Sequence, residues 1–180
     1  MANEQRTRGL KLDLHTHCGE ATCVYTPTRD VVRKIVAAAR DKGLDGIGIT
    51  EHYNKAYGFK VKEIVDQYFS GKILVIPGQE IDKGKLHVVV LYLPGDLTFR
   101  FVVHPGYPKV EDFSSEIDDS IHGIELRNPT HDDEMDQAAI KKTARKHNLL
   151  LLQNSDAHFL SDIGKYYNDI TIEELCARAG

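Results

Sequence analysis

Leu10-Lys11-Leu12-Asp13-Leu14-His15-Thr16-His17, close to the N-terminus, is the stretch that decides the fold. Leu10, Leu12 and Leu14 alternate with Lys11, Asp13 and His15, the period of two expected of a strand. His15 and His17 then project from one face, and Asp13 lies on that face one step earlier. Two neutral imidazoles side by side at a strand end can share one metal ion. Packed or exposed histidines would give the same H-x-H pattern, so the reading turns on whether other strand ends supply partners.

Outward from that strand, Cys18 to Pro27 reads as an irregular loop. Thr26 or Thr28 is placed to cap a helix from near Arg29, with Val31, Val32, Ile35, Val36 and Ala39 as its apolar stripe and Gly43 as its stop. Leu44 to Thr50 is a short buried strand running into Glu51-His52, and a β-α-β unit of this length favours parallel strands with a right-handed crossover. Val61 to Phe69 is a second helix, and Ile73 to Ile76 a third strand followed by Pro77-Gly78-Gln79-Glu80. Asp82 to Lys85 is too short to hold a crossover helix and reads as a hairpin turn. Leu86 to Leu93 follows, then the tight turn Pro94-Gly95-Asp96 and a fifth strand, Phe99 to Val103, ending in His104-Pro105-Gly106. A short acidic helix is expected over Glu111–Ser120 and a sixth strand over Gly123–Leu126, leading to Arg127 and His131. Asp132 or Asp133 would cap a helix reaching His147, with Asn148 at its end. Leu149 to Leu152 is a seventh, wholly apolar strand ending in Asn154-Ser155-Asp156-Ala157-His158, and Thr171 opens a short closing helix.

The 180 residues suggest one domain, residues 1–180, with no repeat, low-complexity tract or linker. A net charge of −4 offers no basic field for nucleic acid, so no nucleic-acid-binding surface is expected. No apolar run approaches the roughly 18 residues that span a bilayer, and Met1 to Gly9 is polar; a cytoplasmic protein is expected. Three cysteines, Cys18, Cys23 and Cys176, are an odd number and argue against a disulfide framework.

Five of the seven strands run directly into candidate ligands: His15 and His17, His52, Glu80, His104, and Asp156 with His158. His131 lies a few residues past the sixth. In barrels of strands and helices, chemistry collects at the carboxyl ends of the strands. Mixed imidazole and carboxylate ligands suit zinc, manganese or iron, and Glu80 and Asp156 can bridge two ions while neutralising them. Such a pair ionises a water at neutral pH and stabilises the entering and leaving oxygens of a phosphate. Phosphoester hydrolysis is the reaction class this set fits best, with amide hydrolysis its competitor. Arg127 is placed to contact a phosphate or to pair with Asp132 or Asp133. His87 reads as a packing or supporting residue, His122 and His147 as structural.

As an ordered set, Asp13-Leu14-His15-Thr16-His17, Thr50-Glu51-His52, Gly78-Gln79-Glu80-Ile81, His104-Pro105-Gly106 and Ser155-Asp156-Ala157-His158 resemble the PHP (polymerase and histidinol phosphatase) superfamily, over nearly the whole chain. The resemblance implies a distorted seven-stranded β/α barrel, here minimal with hairpin-like connections in the middle, holding two or three divalent ions. It implies a metal-dependent phosphoesterase acting on a small phosphorylated substrate or short nucleotide by attack of metal-bound hydroxide. Asp156, His158 and Arg127 are its candidate catalytic residues. Its pattern places His15, His17, Glu80 and Asp156 around one ion, Glu80, His104 and His131 around a second, and His52 and His158 around a third. An exonuclease or nucleotide hydrolase of the same superfamily, or an inactive metal-binding scaffold, are the other readings. The chain departs from the pattern in its first loop, where Thr22 and Cys23 stand at the usual position of an acid or histidine; Cys23 or Glu20 would have to replace it.

Overall fold

The computed structural model describes residues 9–107 and 113–179. Eight strands form one sheet in the order β7-β6-β5-β4-β3-β2-β1-β8, rolled into a nearly closed barrel. In chain order the strands are β1 (Leu10–Asp13), β2 (Gly46–Ile49), β3 (Leu74–Lys83), β4 (Leu86–Tyr92), β5 (Thr98–Val102), β6 (Gly123–Arg127), β7 (Leu150–Gln153) and β8 (Asn168–Ile170). The helices are α1 (Cys18–Thr22), α2 (Arg29–Asp41), α3 (Lys55–Tyr68), α4 (Gln137–His147) and α5 (Ile172–Ala179). The β/α barrel expected from the sequence is present, with one strand more than the seven expected. That strand, β8, has three residues and pairs antiparallel with β1, too short a run to show a period.

β3 carries the departure from a regular β/α barrel. It pairs parallel with β2 through Leu74–Pro77, then antiparallel with β4 through Gly78–Lys83. Pro77 and Gly78 stand where the partner changes, which is why the sequence reads as a strand ending there. A Cβ on Gly78 would lie 2.9 Å from the Val90 carbonyl oxygen, so the crossing of backbones requires glycine. Antiparallel pairing then continues from β4 to β5, and β5-β6-β7 are parallel again.

The period of two sorts the side chains into layers. Val89, Leu91, Phe99, Phe101, Leu152, Leu12 and Leu14 share one buried cluster with α5 residue Leu175. Val88, Val90, Val102 and Ile124 belong to a second, covered by α4 through Ile140 and Ala144. α2 and α3 pack on β2 and β3 in a third. Asn168 stitches the seam between β7 and β8: its amide donates to the carbonyls of Leu12 and Gln153 and to Asn154 Oδ1, and its Oδ1 accepts from Gln153 N.

Several boundaries differ from expectation for local reasons. Residues 18–22 are a helical turn, not irregular loop. α3 begins at Lys55, capped by Asn54, six residues before the expected start. Gly58, which interrupts its apolar stripe, lets the helix approach Ile49 O and Pro77 Cα, which a Cβ would meet at 2.9 and 3.1 Å. α4 is capped by Asp136, whose carboxylate accepts from Ala138 N and Ala139 N, because Asp132 is engaged elsewhere. α2 keeps its Thr28 cap and Asn148 ends α4 in the left-handed region. Phe113–Glu116 form a 3-10 turn; the start of the acidic helix expected over Glu111–Ser120, like the N-terminal stretch up to Arg8, lies outside the described residues. No described helix is long and apolar enough to cross a membrane.

Candidate metal centre

All eight proposed ligands collect at one mouth of the barrel. His15 Nε2, His17 Nε2, Glu80 Oε2 and Asp156 Oδ1 face one another: the two imidazole nitrogens are 3.1 Å apart, and each lies 3.2–3.4 Å from both carboxylate oxygens. The other oxygen of Glu80 lies 3.2 Å from His87 Nδ1 and 3.3 Å from His104 Nε2. His131 Nε2 lies 3.8 Å from Asp156 Oδ2, and its ring sits 4.7 Å from that of His104. His52 and His158 flank His17, their rings stacked on it at 4.3 and 4.4 Å. Arg127 is not drawn in. Its guanidinium pairs with Asp132 and with the Tyr166 hydroxyl, the second alternative its sequence position offered.

This geometry suits ions better than hydrogen bonds. Donors about 2.0–2.2 Å from one ion at tetrahedral angles lie roughly 3.3–3.6 Å from one another. Glu80 Oε1, Asp156 Oδ1 and His17 Nδ1 are buried with no hydrogen-bond partner among the described residues. Buried polar atoms left so would be costly, and cations satisfy the two carboxylate oxygens directly. The donor set, imidazoles with two shared carboxylates, therefore fits divalent ions.

The outer nitrogens are held in a way that aims the inner ones. Glu125, fully buried on β6, accepts from His15 Nδ1 at 3.0 Å, so the Nε2 lone pair faces the cluster. The same carboxylate accepts from His104 N and from the amides of Asn128 and Asn154. Asn128 also donates to Asp156 Oδ2. Asp82 Oδ1 lies 3.5 Å from His87 Nε2, and Glu134 Oε2 2.8 Å from His131 Nδ1. Carboxylates behind histidines are the usual support of metal-binding imidazoles. His104 and Asp156 have φ of 30° and 49°, left-handed values that bend the chain inward directly after β5 and β7.

Electrostatics follow from crowding. Burial opposes ionisation of Glu80, but the imidazoles of His104, His15, His17 and His87 crowded around it hold it far below the carboxylate range. Asp156 is likewise held low against its burial by His15 and His17. Burial also opposes protonation of His15, yet Asp156 and Glu125 keep it well above 6.5. His17 is raised too, its burial outweighed by Asp156 and Glu80. Asp13, by contrast, is not a donor to the cluster. Burial raises it to about 6, although its carboxylate accepts from Ser155 N, Ser155 Oγ and Gly164 N.

A family model described as PHP-associated matches residues 136–178, the stretch that holds α4, β7, Asp156, His158 and α5. The fold around that stretch is shared with solved structures over nearly the whole chain. A protein described as a candidate metal-dependent phosphoesterase from Bifidobacterium adolescentis superposes with a TM-score of 0.68 at 14% identity, over 94% of this chain and 96% of that one. The family model covers less than half of the chain, and the superposition shows a shared fold. PsfC from Pseudomonas syringae PB-5123 gives a TM-score of 0.66 at 15% identity, over 93% and 88% of the two chains. An amidohydrolase from Chromobacterium violaceum, with bound sulfate and no metal, gives 0.61 at 14%, over 93% and 96%. No curated protein matches the chain.

Two residues that the ordered motifs do not include stand beside the cluster. His87 reads from the sequence as a packing or supporting residue, and in the structure it faces Glu80 Oε1 beside His104. It shares strand parity with the inward Val89 and Leu91, and that parity was the available signal. Glu125 passed as strand interior, although a lone acid between Ile124 and Leu126 in a buried strand asks for partners.

Proposed function

We propose that this chain is a PHP-type, metal-dependent phosphoesterase acting on a small phosphorylated substrate. The observation that carries the reading is the convergence of buried imidazoles on the two shared carboxylates Glu80 and Asp156, with spacings of 3.1–3.4 Å. His15, His17, Glu80 and Asp156 would hold one ion. Glu80, His104 and His87 would hold a second, with His131 on its Asp156 side. His52 and His158 border a third position. Divalent ions there would supply Lewis acidity toward phosphoryl oxygens and a source of nucleophilic water at neutral pH.

The chain's own groups do the rest. Glu125 and Asn128 fix the orientation of His15 and Asp156 from behind, keeping their inner atoms free of competing hydrogen bonds. Arg127, engaged by Asp132 and Tyr166, acts in this reading as a brace for the loop that carries His131, rather than as a free phosphate clamp.

Protein loaded with manganese, zinc or iron is assayed on a chromogenic phosphomonoester, a phosphodiester, an oligonucleotide and an amide substrate. Turnover of phosphate esters that chelation abolishes is expected. Asp156→Asn should lower it about 10²-fold or more together with bound metal. Metal binding with hydrolysis of the amide alone would move the protein to the amidohydrolase reading. Metal binding with no turnover would make it a scaffold.

A further inference from the structure

We propose that Asp13 is a positioning residue: it holds no ion itself, but it fixes the loop that carries Asp156 and His158 against the strand that ends in His15 and His17. The inference rests on the metal-centre reading above but not on the phosphoesterase reading.

The donors around the first ion come from two sides of the seam where the barrel lacks a ladder. His15 and His17 follow β1 and Asp156 follows β7, yet these strands are not neighbours: the sheet ends with β7 on one side and with β1-β8 on the other. Past the strand ends the two backbones meet at an isolated parallel bridge, Thr16 to Ala157, where His17 N donates to the Ala157 carbonyl at 2.9 Å. One bridge is little to hold a register. Glu80 and His87 are placed differently, on β3 and β4, which share an unbroken antiparallel ladder from Gly78–Leu91 to Lys83–Leu86.

Side chains take the place of the missing ladder, and Asp13 is at their centre. It is fully buried, and its Oδ1 accepts from Ser155 N at 3.0 Å. Its Oδ2 accepts from Ser155 Oγ at 2.5 Å and from Gly164 N at 2.9 Å. Ser155 directly precedes Asp156, and Gly164, at a φ of 73°, turns the chain back beyond His158. One carboxylate therefore holds both ends of the loop between them. Beside it, Leu14 N donates to Asn154 Oδ1 at 3.0 Å. Both oxygens of Asp13 are taken up by the loop, which leaves neither for a cation.

The restraint falls where the backbone needs it. Asp156 sits at a φ of 49°, a left-handed value that a non-glycine residue keeps only when its surroundings over-determine it. Its Oδ1 must stay near His15 Nε2 and His17 Nε2, now 3.4 and 3.2 Å away. Freeing Ser155 lets Asp156 drift from both histidines at once. The same change leaves Glu80, His87 and His104 as they are, since β3-β4-β5 are joined by their own ladders.

Co2+ titration of the metal-stripped full chain, followed by the visible absorption of the bound ion, tests this without any substrate. Asp13→Ala should weaken the ion shared by His15, His17, Glu80 and Asp156 by about ten-fold or more, and leave the ion on Glu80, His87 and His104 at wild-type affinity. Asp13→Asn, which keeps an acceptor for Ser155 N, should lose less. Ser155→Ala should weaken the same ion, and adding it to Asp13→Ala should bring no further loss, because its partner is already gone. Ile140→Ala, which truncates the core beneath α4, should lower Tm without moving either ion. If Asp13→Ala does not fold, Asp13→Asn and Ser155→Ala carry the same comparison. Wild-type isotherms in the Asp13 variants, additive losses in the double variant, or equal weakening of both ions in Asp13→Ala and in Ile140→Ala would each overturn the proposal. A wild type that binds no ion would overturn the metal centre and this role with it.

Discussion

Glu125 shows how much one buried residue sets at this site. It has no place in the ordered motifs, yet it accepts hydrogen bonds from four groups: His15, His104, Asn128 and Asn154. Glu125→Gln keeps its shape but turns one acceptor into a donor that faces donors. We expect it to weaken tight metal binding by about 10- to 100-fold and to cost roughly 1–3 kcal/mol of stability for the group left unpaired. A metal titration beside a urea melt would register both, and an unchanged affinity would mean that His15 needs no such support. At this scale the sequence was legible where chemistry is written in unusual residue types at strand ends. It was silent where an ordinary acid acts through partners more than twenty positions away, as Glu125 does with His15 and His104, because only the closed barrel brings them together.

Elements were legible where one period ran unbroken and obscure where two demands met in one segment. α2 shows an uninterrupted apolar stripe and a threonine cap, and its limits could be read directly. α3 could not, because Gly58 answers to the sheet beneath it. Glycine within a helix normally invites replacement by alanine, with a gain of about 0.5–1 kcal/mol. Here the new methyl would press on the backbone at Ile49, Pro77 and Gly78. Gly58→Ala is therefore expected to destabilise by about 1–3 kcal/mol, lowering Tm by several degrees in a calorimetric scan; a raised Tm would show that α3 is free to shift. β3 was cut short in the sequence reading for a related reason. Pro77-Gly78 marks an exchange of neighbours within one continuous strand, and residue type alone does not separate that from a strand end.

Across the whole molecule, proton and cation compete for the same atoms. Without metal, His15 and His17 hold protons above their ordinary value of 6.5 because the carboxylates of Asp156 and Glu80 surround them. A histidine whose native pKa is raised lends stability that is complete below its unfolded value and is lost as pH rises through the native value. Metal-stripped protein should therefore lose stability from about pH 6.5 upward. Bound cations need neutral imidazoles, so loaded protein should gain over the same range as proton competition fades. The gap in Tm between manganese-loaded and chelator-treated samples is expected to widen from about pH 6 to pH 9. Parallel curves would mean that these histidines do not exchange protons for ions.

The joining of Thr16 to Ala157, and of Leu14 N to Asn154 Oδ1 across 140 positions, has a temporal consequence for a growing polypeptide. His15 and His17 leave the ribosome well before Asp156, and they wait for Asp156 to be translated before the cluster they share can close. Until then the nascent chain carries imidazoles that lack the Asp156 half of their carboxylate pair, and loading with metal waits for that half.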